Sequence, residues 1–238
     1  MEINAQFRDK ELSPTDFAAV LGRLGKIVDW IAGKHDELEK GGWCLKGNSR
    51  EEAGLYQVFD DNRPSSVALA VLKEQFRNST DQTFVSIWDG NESSTAGVSM
   101  TCHVGPQGEL DLFTVEIVGE QGVDDFETIV GIVIRAVQEF SPAYVEVSPL
   151  EYFEKQVFDD KPGVGWMLYL PKVISVQEVP EARVLIPVPA AGNKQTGTII
   201  VSVTDAVFSV DNPEHIEIAN RIEIRLVDQD LLPRYVDL

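Results

Sequence analysis

An α+β fold, with a mixed, mostly antiparallel sheet flanked by helices, is what this 238-residue sequence predicts. Three observations predict it. Apolar residues recur at helical spacing over residues 17–31 and 126–140. Between those stretches, residues 83–118 read as three strands separated by turn formers. Helices and strands alternate with no low-complexity linker or internal repeat, so residues 1–238 read as a single domain.

The elements follow in order. Residues 2–8 read as a short first strand. Ser13-Pro14 opens a long helix, with Ser13 as N-cap and Pro14 at the first helical position. Its stripe is Phe17, Val20, Leu21, Leu24, Ile27, Val28 and Ile31, and Gly41-Gly42 end it. GWCLK (42–46) is a short strand. Ser49 with Glu52 is a capping box that starts a helix toward Phe59. Pro64 begins a helix to about Arg77, with Val67, Leu69, Val71, Leu72 and Phe76 on its buried face. TFVSIWDG (83–90), AGVSMTCHV (96–104) and LDLFTVEIV (110–118) form an antiparallel meander. The helix over 125–140 starts at the capping box Asp124–Glu127 and stops at Ser141-Pro142. AYVEV (143–147) is a strand, and a short helix covers residues 150–156. GVGWMLYLP (163–171), VISVQEV (173–179), RVLIPV (183–188) and TGTIIVSV (196–203) are strand-like. Asn212-Pro213-Glu214 starts a last helix, and RIEIRLV (221–227) fits helix or strand.

Composition excludes several function classes. Lys plus Arg number 20 and Asp plus Glu 39, a formal net charge of -19. That argues against nonspecific binding to nucleic acid or anionic lipid and suits a basic protein partner. The longest wholly apolar run, residues 129–134, is far shorter than the ~20 residues of a membrane helix. No signal peptide is visible at the start, and Cys44 and Cys102 make no disulfide framework, so a cytoplasmic location is expected. The charge is uneven: residues 78–154 hold one basic group, Arg135, against 14 acids. No Lys or Arg lies between Arg77 and Arg135. Asp124, Asp125 and Glu127 complement a helix start and carry less weight.

Motifs for catalysis are weak. His35, His103 and His215 are far apart, and Cys102-His103 point to opposite faces of a strand, so no metal or cofactor is expected. Gly97-Val98-Ser99-Met100-Thr101 lacks the second Gly of a nucleophile elbow. Cys44 reads as an inert core residue. Gly192–Thr198 (GNKQTGT) lacks the Lys of a phosphate loop and precedes a strand. Asp159-Asp160-Lys161 has the spacing of some metal nucleases but is also an ordinary turn sequence. Of the four tryptophans, Trp88 ends a strand beside Asp89-Gly90 and is the one expected to be partly exposed.

Several segments together resemble the immunity protein 52 family of bacterial polymorphic-toxin systems. They are Trp43-Cys44-Leu45-Lys46-Gly47, Ser49-Arg50-Glu51-Glu52-Ala53, Ser86-Ile87-Trp88-Asp89-Gly90, GVGWMLYLP (163–171), GTIIVSV (197–203), Asn212-Pro213-Glu214-His215 and Asp230-Leu231-Leu232-Pro233. Asp89 stands where the family typically has Asn. The resemblance implies a non-enzymatic inhibitor of a cognate toxin encoded nearby, often a nuclease domain of restriction-endonuclease-like fold delivered by type VI secretion. It carries over no toxin-contacting residues. On charge and exposure, the expected toxin contacts are Trp88, Asp89, Glu92, Glu109, Asp111, Glu116 and Glu120. Homodimerisation stays open. The alternatives are a metal-dependent hydrolase or nuclease using Asp160, and an assembly adaptor unrelated to any toxin.

Overall fold

The computed structural model describes residues 1–47, 52, 54–79, 81–91, 96–119, 122–189 and 194–238. The chain gathers into two compact units, one of Gln6–Ser141 and one of Met1–Ala5 with Pro142–Leu238. The first strand, β1 (Glu2–Phe7), supplies residues to both and buries Ile3, Ala5 and Phe7 by alternation.

The N-terminal unit continues with α1 (Phe17–Ala32), β2 (Cys44–Leu45), β3 (Phe59–Asp60), β4 (Arg63–Pro64), α2 (Ser66–Gln75), β5 (Thr83–Trp88), β6 (Gly97–Val104), β7 (Asp111–Val118) and α3 (Phe126–Phe140). Its sheet runs β7-β6-β5-β2 with antiparallel pairing, so the predicted meander is present. Helix α1 is capped by Asp16, not Ser13, because the Asp16 carboxylate accepts the Ala19 N–H at 3.0 Å. It ends at Ala32 rather than at Gly41-Gly42, and residues 36–38 and 40–42 are single 3-10 turns. Asp125, one residue past the expected Asp124, caps α3 and accepts the Thr128 N–H. Ser141 stops α3 in the left-handed region at φ 48°.

Two further sequence expectations fail in this unit. Residues 54–60 are not the end of a helix. Phe59-Asp60 pairs with Arg63-Pro64 around Asp61 and Asn62, both at positive φ, which Asp and Asn tolerate. Ser49, the proposed cap, lies outside the described residues. In α2 the buried residues are Ala68 and Leu72, with Phe76 just beyond, while Val67 is exposed. Ser65, whose Oγ accepts the Ala68 N–H, starts the helix two residues later than predicted.

The C-terminal unit contains β8 (Tyr144–Ser148), β9 (Met167–Leu170), β10 (Val184–Pro189), β11 (Gln195–Val201) and α4 (Pro213–Asp228). The order is β10-β11-β9-β8, again antiparallel, with a one-residue parallel bridge between Val147 and Gly165. Gly165 has φ +49°, and a Cβ there would meet Val147 O at 2.7 Å, so glycine is required for this approach. Residues 173–179 are not a strand. Ser175 N and Oγ both donate to Glu178, a local capping arrangement that closes a turn. Residues 221–227 are helical, part of α4, which Asn212 caps as expected. Among the described residues, no helix is long and apolar enough to cross a membrane.

Candidate interaction surface

The strands of the N-terminal unit alternate strictly. Thr83, Val85 and Ile87 of β5, Val98, Met100, Cys102 and Val104 of β6, and Phe113, Val115 and Ile117 of β7 are buried. The opposite parity forms an open face in three rows. Phe84, His103 and Leu112 make the first row, Ser86, Thr101 and Thr114 the second, and Trp88, Ser99 and Glu116 the third. Phe84 is 51% exposed, Val118 45% and Leu112 36%, so the face is uncovered where it is most apolar.

Short hydroxyl side chains fill the middle row, and Ser86 Oγ and Thr101 Oγ1 are hydrogen-bonded at 2.9 Å. Ser99 Oγ donates to Glu116 at 3.2 Å and steadies that carboxylate. Phe76, just past α2, meets the Phe84 ring edge-on at 5.2 Å and borders the face on the β5 side. The Trp88 indole is half-buried. Its Nε1 is buried and finds no partner among the described residues.

The acids predicted from sequence fall into two kinds. Glu109 and Glu116 are exposed, on the β6–β7 connection and on the open face respectively. Asp89 and Asp111 are buried and organise turns. Asp89 accepts the amides of Asn91 and Val98 at 2.9 and 2.8 Å and closes the end of the β5–β6 pair. Asp111 accepts those of Gly105 and Asp9 at 2.9 and 3.4 Å. Burial pushes the Asp111 carboxyl up, and the two amides pull against it. Its neighbour Asp9 is also raised by burial, but hydrogen bonds from Arg23 and the Glu11 amide outweigh that and hold it below its ordinary value. Glu92 and Glu120 lie outside the described residues.

Other sequence candidates are occupied by structure. Burial pushes the Cys102 thiol up to about 12 and raises that of Cys44, so neither is a ready nucleophile. Cys102 is buried and His103 is on the open face, as their parity requires. His35 lies beside Thr128, and His215 Nδ1 accepts the Ser209 N–H. Asp160 binds Arg234 at 2.9 Å, its carbonyl accepts the Tyr235 N–H, and Lys161 donates to Leu232 O. The Asp159-Asp160-Lys161 turn is therefore tied to the C-terminal tail.

A buried acidic cluster in the C-terminal unit escaped the sequence reading. Glu223 of α4 is 1% exposed and accepts from Tyr152 Oη at 2.6 Å, Val157 N at 2.7 Å and Val164 N at 3.0 Å. Burial raises its carboxyl against those three donors. Burial pushes the nearby, half-buried Glu146 up to about 7, and the Glu223 charge adds to it. The signal was present: Glu223 lies on the same stripe as Ala219, Ile222 and Leu226, where a charge needs partners.

The sequence profile described as Immunity protein 52 matches residues 22–234. No curated protein matches the chain. Among solved structures, the Pseudomonas aeruginosa T6SS protein PA0821 is similar in fold. The TM-score is 0.55 at 11% identity, over 94% of this chain and 75% of that one.

Proposed function

Since the chain belongs to the immunity protein 52 family, we propose that it binds a cognate toxin and neutralises it by occlusion, with no bond-making of its own. The family match over residues 22–234 carries this reading. We assign the toxin as a nuclease domain of restriction-endonuclease-like fold, encoded nearby and delivered by a type VI machine. A nuclease holds a phosphodiester backbone with Lys and Arg. A protein of net charge -19, cation-free from residue 78 to residue 134, complements such a surface. Steering of this kind raises association rates toward ~10⁸ M⁻¹s⁻¹ at low salt. Among the acids predicted from sequence, exposed Glu109 and Glu116 can meet a partner directly, and Trp88 shares the row of Glu116.

The test is co-expression. Cells producing the C-terminal domain of the neighbouring gene product should stop growing, and this chain should restore growth. The purified domain should cleave DNA, and an equimolar amount of this chain should stop it. Growth arrest that the chain does not relieve refutes the immunity reading. Arrest relieved without any nuclease activity in the domain refutes the nuclease assignment alone.

A further inference from the structure

We propose that the open face of β5, β6 and β7 is the docking surface for a basic protein, whose Arg and Lys side chains reach Glu116 while its apolar side chains cover Phe84 and Leu112. This deepens the immunity reading and rests on it.

Charge makes the first argument. All three strands and both connections between them fall in the interval without Lys or Arg. Asp81 ahead of β5, Glu109 between β6 and β7, and Glu116 on β7 are exposed. His103 is the one side chain of the three strands that can become positive. A cationic partner therefore meets no fixed like charge on the three strands themselves, although the exposed Lys46 stands at the β5 border, where it lines a pocket with Phe84 and Ser86.

Shape makes the second. Alternation presents Phe84 and Leu112 in one row and Trp88 with Glu116 in another, separated by the shallow hydroxyl row. Aromatic groups at the ends, with a carboxylate already held by Ser99, suit an anchor contact inside a polar rim. The paired strands hold these groups in place before contact, so binding orders little backbone.

Edge pairing makes the third. At the β2 end of this sheet, among the described residues, Cys44 and Leu45 pair with β5, Lys46 N donates to Ser86 O, and the far side of β2 is taken by the Cys44–Gln57 bridge and by Tyr56 O, which accepts the Leu45 N–H. So short and occupied an edge is a poor template for strand addition. The face, not this edge, is what the unit offers.

The test uses the full chain and, as probe, the C-terminal domain of the protein encoded beside its gene. Thr101→Arg plants a bulky cation in the middle row, and Glu116→Lys reverses the face's carboxylate. Glu154→Lys makes the same charge change at an exposed position of the C-terminal unit. We expect binding about 100-fold weaker for T101R and about 10-fold weaker for E116K, with slower association and a flatter salt dependence in E116K. E154K should bind within about two-fold of the native chain. Unchanged urea midpoints separate these effects from unfolding. Native binding with T101R and E116K both unaffected overturns the face and leaves the immunity reading standing. No binding and no protection by the native chain removes both. A native dimer that T101R disperses in sedimentation makes a second copy the occupant and overturns the basic partner.

Discussion

The two units handle their sheets differently. In the C-terminal unit, Met167–Leu170 of β9 are buried on both faces, as are residues 197–201 of β11. Thr198 Oγ1 ties the segment after β9 to β11, donating to Lys172 O and accepting the Ile174 N–H. In the N-terminal unit β5, β6 and β7 bury every second residue and leave the others half-buried or exposed. A strand covered on both faces contributes core and nothing else. A strand covered on one face keeps a rigid surface for a partner. The buried acids follow the same division: Glu223 is an anchor at the centre of its unit, whereas Asp89 and Asp111 hold the turns that end an open face.

Glu223→Ala should have the largest effect, a loss of about 3 kcal/mol measured by urea unfolding, because one hydroxyl and two amides lose their acceptor. A loss below ~1 kcal/mol would mean that the cluster is not the anchor of its unit. On the packed side of the other unit, Gly131→Ala should cost about 1–3 kcal/mol. A Cβ there would lie 2.1 Å from the Trp30 indole, whose Nε1 donates to Thr128 O. Asp111→Asn should cost about 1 kcal/mol without changing net binding at saturating partner, since Asp111 supports a turn and does not reach the open face. Glu116→Lys should move stability by less than ~0.5 kcal/mol, the difference between a covered and an open face in its simplest form.

Glu146 adds a pH dependence to the C-terminal unit alone. Its carboxyl sits at about 7 in the folded chain against 4.5 ordinarily, so folding takes up a proton between those values. Stability from this group is therefore greatest at low pH and falls as pH rises through that window. Glu146→Gln removes the slope. The urea midpoint of E146Q should match the native chain near pH 4 and exceed it by pH 8. Parallel curves would mean that Glu146 ionises as freely folded as unfolded.

Much of the fold was legible because it rests on local rules. The meander followed from alternation and turn formers, and α3 from its apolar stripe and an acid at its start. The misplaced elements were those decided by competition. Ser13 lost the α1 cap to Asp16 three residues on, and Ser175–Glu178 folded an apolar stretch into a turn. The acids were harder. Asp111 shares parity with Phe113, Val115 and Ile117, and Glu116 with Leu112 and Val118, so their different fates were written in β7. Net charge alone does not distinguish them.

By itself the sequence determined the α+β class, the cation-free middle and the family, because composition, periodicity and motif are properties of the chain. Only the tertiary structure decided which acids are anchors and which are free to meet a partner. Burial depends on what covers each face, and residues distant in the chain supply the hydrogen bonds that make it tolerable: Asp9 for Asp111, Tyr152 and Val164 for Glu223.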